Sequence, residues 1–249
     1  MIKLGSCFSG VGGFELGLEQ SIPNIKTVWQ VEQNLFCQTI LAKHWPDSTI
    51  HNDVRTVGVH NLEPVDILCG GFPCQDISIA GKGEGINGKR SGLWWELHRI
   101  IGELQPRIIV LENVPAITTR GARNVVGSLS ELGYDCEWTV IRASDFGAPH
   151  HRARWFCVAY SNSNRTQIQI ERKQSGQQKS GSTCQNWSTH TNHWKGFTTE
   201  SAVCRKNDGI SNRVDRIKAL GNAIVPQCSE WVARQILNSG LLDDLLEEK

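Results

Sequence analysis

Short β-branched runs alternate with helix-length amphipathic stretches from Met1 to about Tyr160. That alternation predicts a mostly parallel sheet with helices on both faces. Strands are expected near Lys3 to Cys7, Thr27 to Val31, Val65 to Cys69, Ile108 to Leu111, Glu137 to Ile141 and Trp155 to Ala159, with a shorter β-like stretch from Ser48 to Asn52. Helices are expected over Phe14 to Gln20, Leu35 to His44, Leu93 to Leu104, Ala122 to Leu132 and Gln227 to Leu237. At 249 residues, the chain has room for one sizeable α/β domain carrying at most a small lobe.

The pattern breaks after Tyr160, where Ser, Asn, Gln and Thr dominate and neither a helical nor a strand period survives. The expected organisation is a main domain over 1–160, an insert over 161–212, and a segment over 213–249 that completes the domain. The insert is where basic charge concentrates. It carries seven lysines and arginines against three acids, a net of +4 in a chain whose total is +1. Trp187, Trp194 and Phe197 serve equally well as a small core of this lobe or as residues that touch a base.

Hydrophobic content of 39% and charged content of 20% are ordinary for a globular protein, and no apolar run reaches membrane-spanning length. The first residues read straight into a strand rather than a signal peptide. The nine cysteines are odd in number and irregular in spacing, which fits free thiols in a reducing cytoplasm better than a disulfide framework. Cys7, Cys37, Cys69, Cys136, Cys157 and Cys228 read as small buried hydrophobes. No Cys-x-x-Cys pair and no Cys/His ligand spacing occurs, so no metal site is expected.

Phe8-Ser9-Gly10-Val11-Gly12-Gly13-Phe14 is a glycine-rich turn between a strand and a helix. Such a turn lets the backbone approach a ligand, and the helix start offers unpaired N–H groups. It matches neither the Gly-x-Gly-x-x-Gly fingerprint nor a P-loop. Glu32 closes the next strand and Asp53 follows the Ser48 to Asn52 stretch, which places two carboxylates where a nucleoside would be held. The following strands open onto Gly70-Gly71-Phe72-Pro73-Cys74-Gln75 and onto Glu112-Asn113-Val114-Pro115. Glu32, Asp53, Cys74 and Glu112 thus all follow strands, the place where open α/β sheets put their chemistry.

These loops and the glycine turn resemble the cytosine-5 DNA methyltransferase family. That family is marked by a Phe-x-Gly-x-Gly cofactor turn, a Pro-Cys loop and a Glu-Asn-Val loop. The resemblance continues through Pro149-His150-His151-Arg152-Ala153-Arg154, similar to a Gln-x-Arg-x-Arg motif with His150 in the Gln place, and through Gly221-Asn222-Ala223-Ile224-Val225-Pro226. It implies a Rossmann-like, S-adenosylmethionine-dependent methyltransferase with an unusually short target recognition region.

In such an enzyme Cys74 is the nucleophile on carbon 6 of a cytosine flipped out of the duplex, because carbon 5 is too poor a nucleophile on its own. Glu112 is the acid at ring nitrogen 3, and Arg152 and Arg154 support the base and the Cys74 surroundings. By the same resemblance Phe8, Ser9, Gly10, Gly12, Gly13, Glu32, Asp53, Pro73, Leu93 and Asn222 surround S-adenosylmethionine. Gln75, Ser78, Lys82, Lys89, Arg90 and Arg213 face double-stranded DNA, the basic glycine-rich loop after Cys74 closing over phosphates. A cytoplasmic monomer of bacterial or phage origin is implied, with a cognate restriction endonuclease as a further partner. Two other functions compete with this one. One is a transfer RNA cytosine methyltransferase, a group marked by a Cys-Phe-Thr motif that this chain lacks. The other is a catalytically silent DNA-binding regulator.

Overall fold

The computed structural model describes residues 1–73, 92–161, 219 and 221–247. Five strands pair in parallel, β1 (Ile2–Cys7), β2 (Ile25–Val31), β3 (Thr49–His51), β4 (Ile67–Gly70) and β5 (Ile108–Asn113), and all but the short edge strand β3 are apolar runs with buried residues. All four residues of β4 and all six of β5 are buried, as expected where helices cover both faces. Two longer strands follow, β6 (Tyr134–Arg142) and β7 (Ala153–Ser161), and the sheet order is β3-β2-β1-β4-β5-β7-β6. β1 to β5 pair in parallel, whereas β7 lies antiparallel between β5 and β6. The order reverses at β1 and β4, the switch point at which such sheets open a crevice.

Helices α1 (Gly13–Ser21), α2 (Leu35–His44), α3 (Gly92–Leu104), α4 (Ile117–Arg120), α5 (Ala122–Glu131), α6 (Pro226–Asn238) and α7 (Asp243–Glu247) complete the described fold. One core joins Trp29, Leu68, Trp94, Leu97, Ile109, Val125 and Trp155. The other joins Phe14, Leu18, Ile67, Val110, Phe156, Val232 and Ile236, so helix α6 packs beside α1. The approach of these two helices is close. A Cβ on Gly17 would lie 2.4 Å from the Pro226 carbonyl, and one on Gly13 would lie 2.3 Å from that of Ile224.

The structure lengthens several expected elements for identifiable reasons. β5 runs on through Glu112 and Asn113 because β7 continues the ladder there, pairing Glu112 with Phe156 and Asn113 with Trp155. Glu112 therefore stands inside the strand rather than after it. β6 spans nine residues because all of them pair with β7. α6 begins at Pro226, whose ring suits the first helical position. The short α4, α7 and the 3₁₀ turns at Val54–Thr56 and Ala143–Phe146 carry too few residues to show a period. Cys7, Cys37, Cys69, Cys157 and Cys228 are buried, while Cys136 is only half-buried. Ser161, the first residue of the expected insert, ends β7, and the remaining 162–212, with Trp187, Trp194 and Phe197, lie outside the described residues. Among the described residues no helix is long and apolar enough to cross a membrane.

Candidate active site

The carboxyl ends of β1 to β5 share one edge of the sheet, and β7, running the other way, begins at that edge. Its first turn of chain brings Arg152 and Arg154 to the side of Glu112.

The glycine turn after β1 is held in an unusual shape. Phe8 and Gly10 have φ of 59° and 58°, and Gly12, which precedes α1, has φ of 84°. A left-handed Phe costs on the order of 1–3 kcal/mol and persists only where its neighbours fix it. Glu32 supplies one of those fixings. Its Oε2 accepts the Gly10 N–H at 2.7 Å and its Oε1 accepts the Asn34 N–H at 2.7 Å. Ser9 supplies another, with its N–H on the Val31 carbonyl at 3.2 Å and its carbonyl accepting from Gly12. A Cβ on Gly12 would meet the Trp45 ring at 2.3 Å, whereas one on Gly10 would enter open space. Among the described residues, then, nothing stands against the outer side of the turn at Gly10.

Asp53 sits at the end of the neighbouring β3 and caps a 3₁₀ turn, accepting the Arg55 N–H at 3.0 Å through Oδ1. Pro73 and Leu93 are half-buried and Asn222 is exposed. Phe8, Ser9, Gly10, Gly12, Gly13, Glu32, Asp53 and Pro73 therefore line the ends of adjacent strands. The Ile224 carbonyl against Gly13 keeps the Asn222 segment beside them. Cys74, Gln75, Ser78, Lys82, Lys89, Arg90 and Arg213 lie outside the described residues.

Glu112 is 8% exposed, and Arg154 Nε stands 2.8 Å from its Oε1. Two opposing effects act on this carboxyl. Burial disfavours the charge, while the Arg154 and Arg152 guanidinium groups favour it. Burial wins, and the acid is pushed up to about 7. Arg154 also donates from Nη1 to the Ala153 carbonyl at 2.8 Å, and Arg152 donates from Nη2 to the Ala223 carbonyl at 2.6 Å. Arg152 thereby ties the start of β7 to the Gly221–Pro226 segment.

Two further residues belong to the site. Asn113, 2% exposed, donates from Nδ2 to the Phe72 carbonyl at 2.9 Å and accepts the Val114 N–H through Oδ1 at 2.8 Å. It fastens the base of the Pro73 loop to the strand that carries Glu112. A buried amide at a strand end must find backbone partners, and that is the signal by which it could have been found. Gly71 is the second, since a Cβ there would lie 2.8 Å from Glu112 Oε2. Gly71→Ala is expected to leave the fold intact, because the atom displaced is a side-chain tip. It should lower turnover on the order of tenfold, short of the 10²-fold that a 1 Å misplacement can cost. Thermal melting and steady-state rates check both halves.

Residues 2–207 match the family profile of the C-5 cytosine-specific DNA methylases. The chain belongs to that family. It is 39% identical over 155 residues to the type II methyltransferase M.CviJI of Paramecium bursaria Chlorella virus IL3A, covering 61% of this chain and 41% of the relative. To M.Bsp6I of Bacillus sp. it is 33% identical over 168 residues, covering 65% and 53%. The crystal structure of a DNA modification methyltransferase encoded within an E. coli prophage superposes with a TM-score of 0.55 at 28% identity, covering 66% of this chain and 48% of that one. The chain thus spans about half, or less, of the length of these relatives. The range that matches the DNA methylases contains the sheet, the glycine turn and the Glu112–Arg154 pair described above.

Proposed function

We propose that this DNA methylase family member transfers a methyl group from S-adenosylmethionine to carbon 5 of a cytosine flipped out of duplex DNA. The observation that carries the reading is Glu112, a buried acid poised at about 7 beside Arg154 and beneath the loop that leads to Cys74. A carboxyl tuned to neutral pH can donate a proton at the pH where the reaction runs.

The residues fit the cofactor. Among the described residues the turn at Phe8 to Gly13 is open outside Gly10, and Glu32 and Asp53, just past the ends of the next two strands, would hold a ribose and an adenine amino group. When bound, S-adenosylmethionine supplies an electrophilic methyl group. The rest falls to the chain. The Cys74 thiolate adds to carbon 6, forming an S–C bond, and the ring electrons move toward nitrogen 3. Glu112 gives its proton to that nitrogen, so no full anion builds up there. After methylation nitrogen 3 gives its proton back to Glu112, the carbon 5 proton passes to solvent, and the S–C bond breaks with its electron pair returning to sulfur. Arg154 orients Glu112, and Arg152 holds β7 in place. Residues 161–212 act as a short target-recognition insert between the 1–160 and 213–249 parts of the catalytic domain. The DNA-facing set is Gln75, Ser78, Lys82, Lys89, Arg90 and Arg213.

DNA carrying 5-fluorocytosine lacks the carbon 5 proton, so the adduct cannot resolve. The wild-type protein with S-adenosylmethionine is expected to give a covalent complex that survives denaturing electrophoresis, and Cys74→Ser is expected to give none. An adduct on transfer RNA alone would replace DNA as substrate. No Cys74-dependent adduct on either would leave a DNA-binding regulator.

A further inference from the structure

Under the cofactor turn lies a carboxyl that this chemistry does not use. Glu15, in the first turn of α1, is 0% exposed. Among the described residues it takes part in no ion pair. Its Oε1 accepts from Gln30 Nε2 at 3.1 Å. Its Oε2 is buried with no hydrogen-bond partner, and so is Gln30 Oε1. Two bare acceptors in one dry cluster cannot satisfy each other, and a carboxylate there would be an uncompensated buried charge. A proton on Glu15 turns one of the acceptors into a donor.

The cluster is tied to the turn itself. Gln30 on β2 lies opposite Ser6 on β1. Ser6 is 1% exposed and accepts at Oγ from the Ser9 hydroxyl at 2.9 Å. The Ser6 and Ser9 hydroxyls and the Gln30 amide lie near enough to favour the charge on Glu15, though none closes a hydrogen bond on Oε2, and burial outweighs them and raises its pKa. Ser9, 8% exposed, sits between the left-handed Phe8 and Gly10. The turn is therefore gripped from the solvent side by Glu32 and from the core side by Ser9.

We propose that Glu15, held as a neutral carboxylic acid in the Ser6–Ser9–Gln30 cluster, is a positioning residue for the S-adenosylmethionine turn. This rests on the reading of that turn as the cofactor site. Glu15 touches neither cofactor nor base. It acts by fixing Ser9, and through Ser9 the backbone on either side.

The test is calorimetric titration of the whole protein with S-adenosylmethionine, together with KM, kcat and melting temperature. Glu15→Gln keeps the shape of the neutral acid and is expected to bind within about twofold of wild type. Glu15→Leu is expected to bind about tenfold more weakly, equivalent to about 1.4 kcal/mol, with KM for the cofactor raised and kcat at saturation little changed. A purely structural role would lower the melting temperature without this split. Glu15→Gln as weak as Glu15→Leu would overturn the neutral acid, and unchanged affinity in Glu15→Leu would overturn the positioning role. Should Glu15→Leu not fold, Ser6→Ala cuts the same link and must weaken binding, and unchanged affinity there overturns the inference. Wild type that binds no S-adenosylmethionine would overturn the cofactor reading, and this inference with it. Binding insensitive to every variant would overturn this inference alone.

Discussion

Glu112→Gln is expected to lower kcat by about 10²–10⁴-fold, the range of a lost general acid, while affinity for S-adenosylmethionine stays near wild type. The amide keeps the size of the acid but has no proton to give. A pH profile separates this from a steric effect. Glu112 ionises at about 7 in the folded protein, and the active form is the protonated one. Wild-type kcat should accordingly fall as pH rises through about 7, and the small residual rate of the glutamine variant should lack that alkaline limb. Retention of the same limb in the variant would assign it to another group and remove Glu112 from the proton transfer.

Much of this site could be read before any coordinates, because parallel strands buried on both faces write themselves as unbroken apolar runs. The runs ending at Cys7, Val31 and Leu111 point to the strand ends where Phe8, Glu32 and Glu112 stand. The direction of β7 is a different matter. Trp155 to Ala159 reads as a strand in either orientation, and only the antiparallel placement beside β5 brings Arg152 and Arg154 to the edge that holds Glu112. The same pairing draws Glu112 and Asn113 into β5, a consequence of a partner more than 40 residues away in sequence that no local pattern encodes. Glu15 was hidden for another reason. An acid in the first turn of a helix is normally a solvated partner of the helix dipole, and nothing in Gly-Phe-Glu-Leu-Gly distinguishes that from a buried acid. The burial follows from the packing of α1 on the sheet, where Glu15 meets Gln30 of β2.

Arg154→Met tests the other half of the pair and should move the same titration the opposite way. Arg154 opposes the burial of Glu112, so its loss leaves desolvation less restrained and raises the acid further above 7. The alkaline limb of kcat is then expected at higher pH. The rate below that limb should fall about 10²–10³-fold, the cost of removing a preorganised charge from a reacting site. Lysine would not restore it. The guanidinium reaches Glu112 through Nε while Nη1 holds the Ala153 carbonyl, and a single ammonium cannot span that fork. Stability should follow by linkage. A carboxyl whose folded pKa is raised contributes stability that is fully present below the unfolded value near 4.5 and is lost as pH climbs to the folded value. In wild type that loss ends at about 7. In Arg154→Met it continues beyond 7, by about 1.4 kcal/mol for each further pH unit up to the new value. The gap in melting temperature between variant and wild type should therefore be smallest near pH 6 and widen toward pH 9. A gap constant over that range would mean that Glu112 does not change charge there, and would refute the acid role assigned to it.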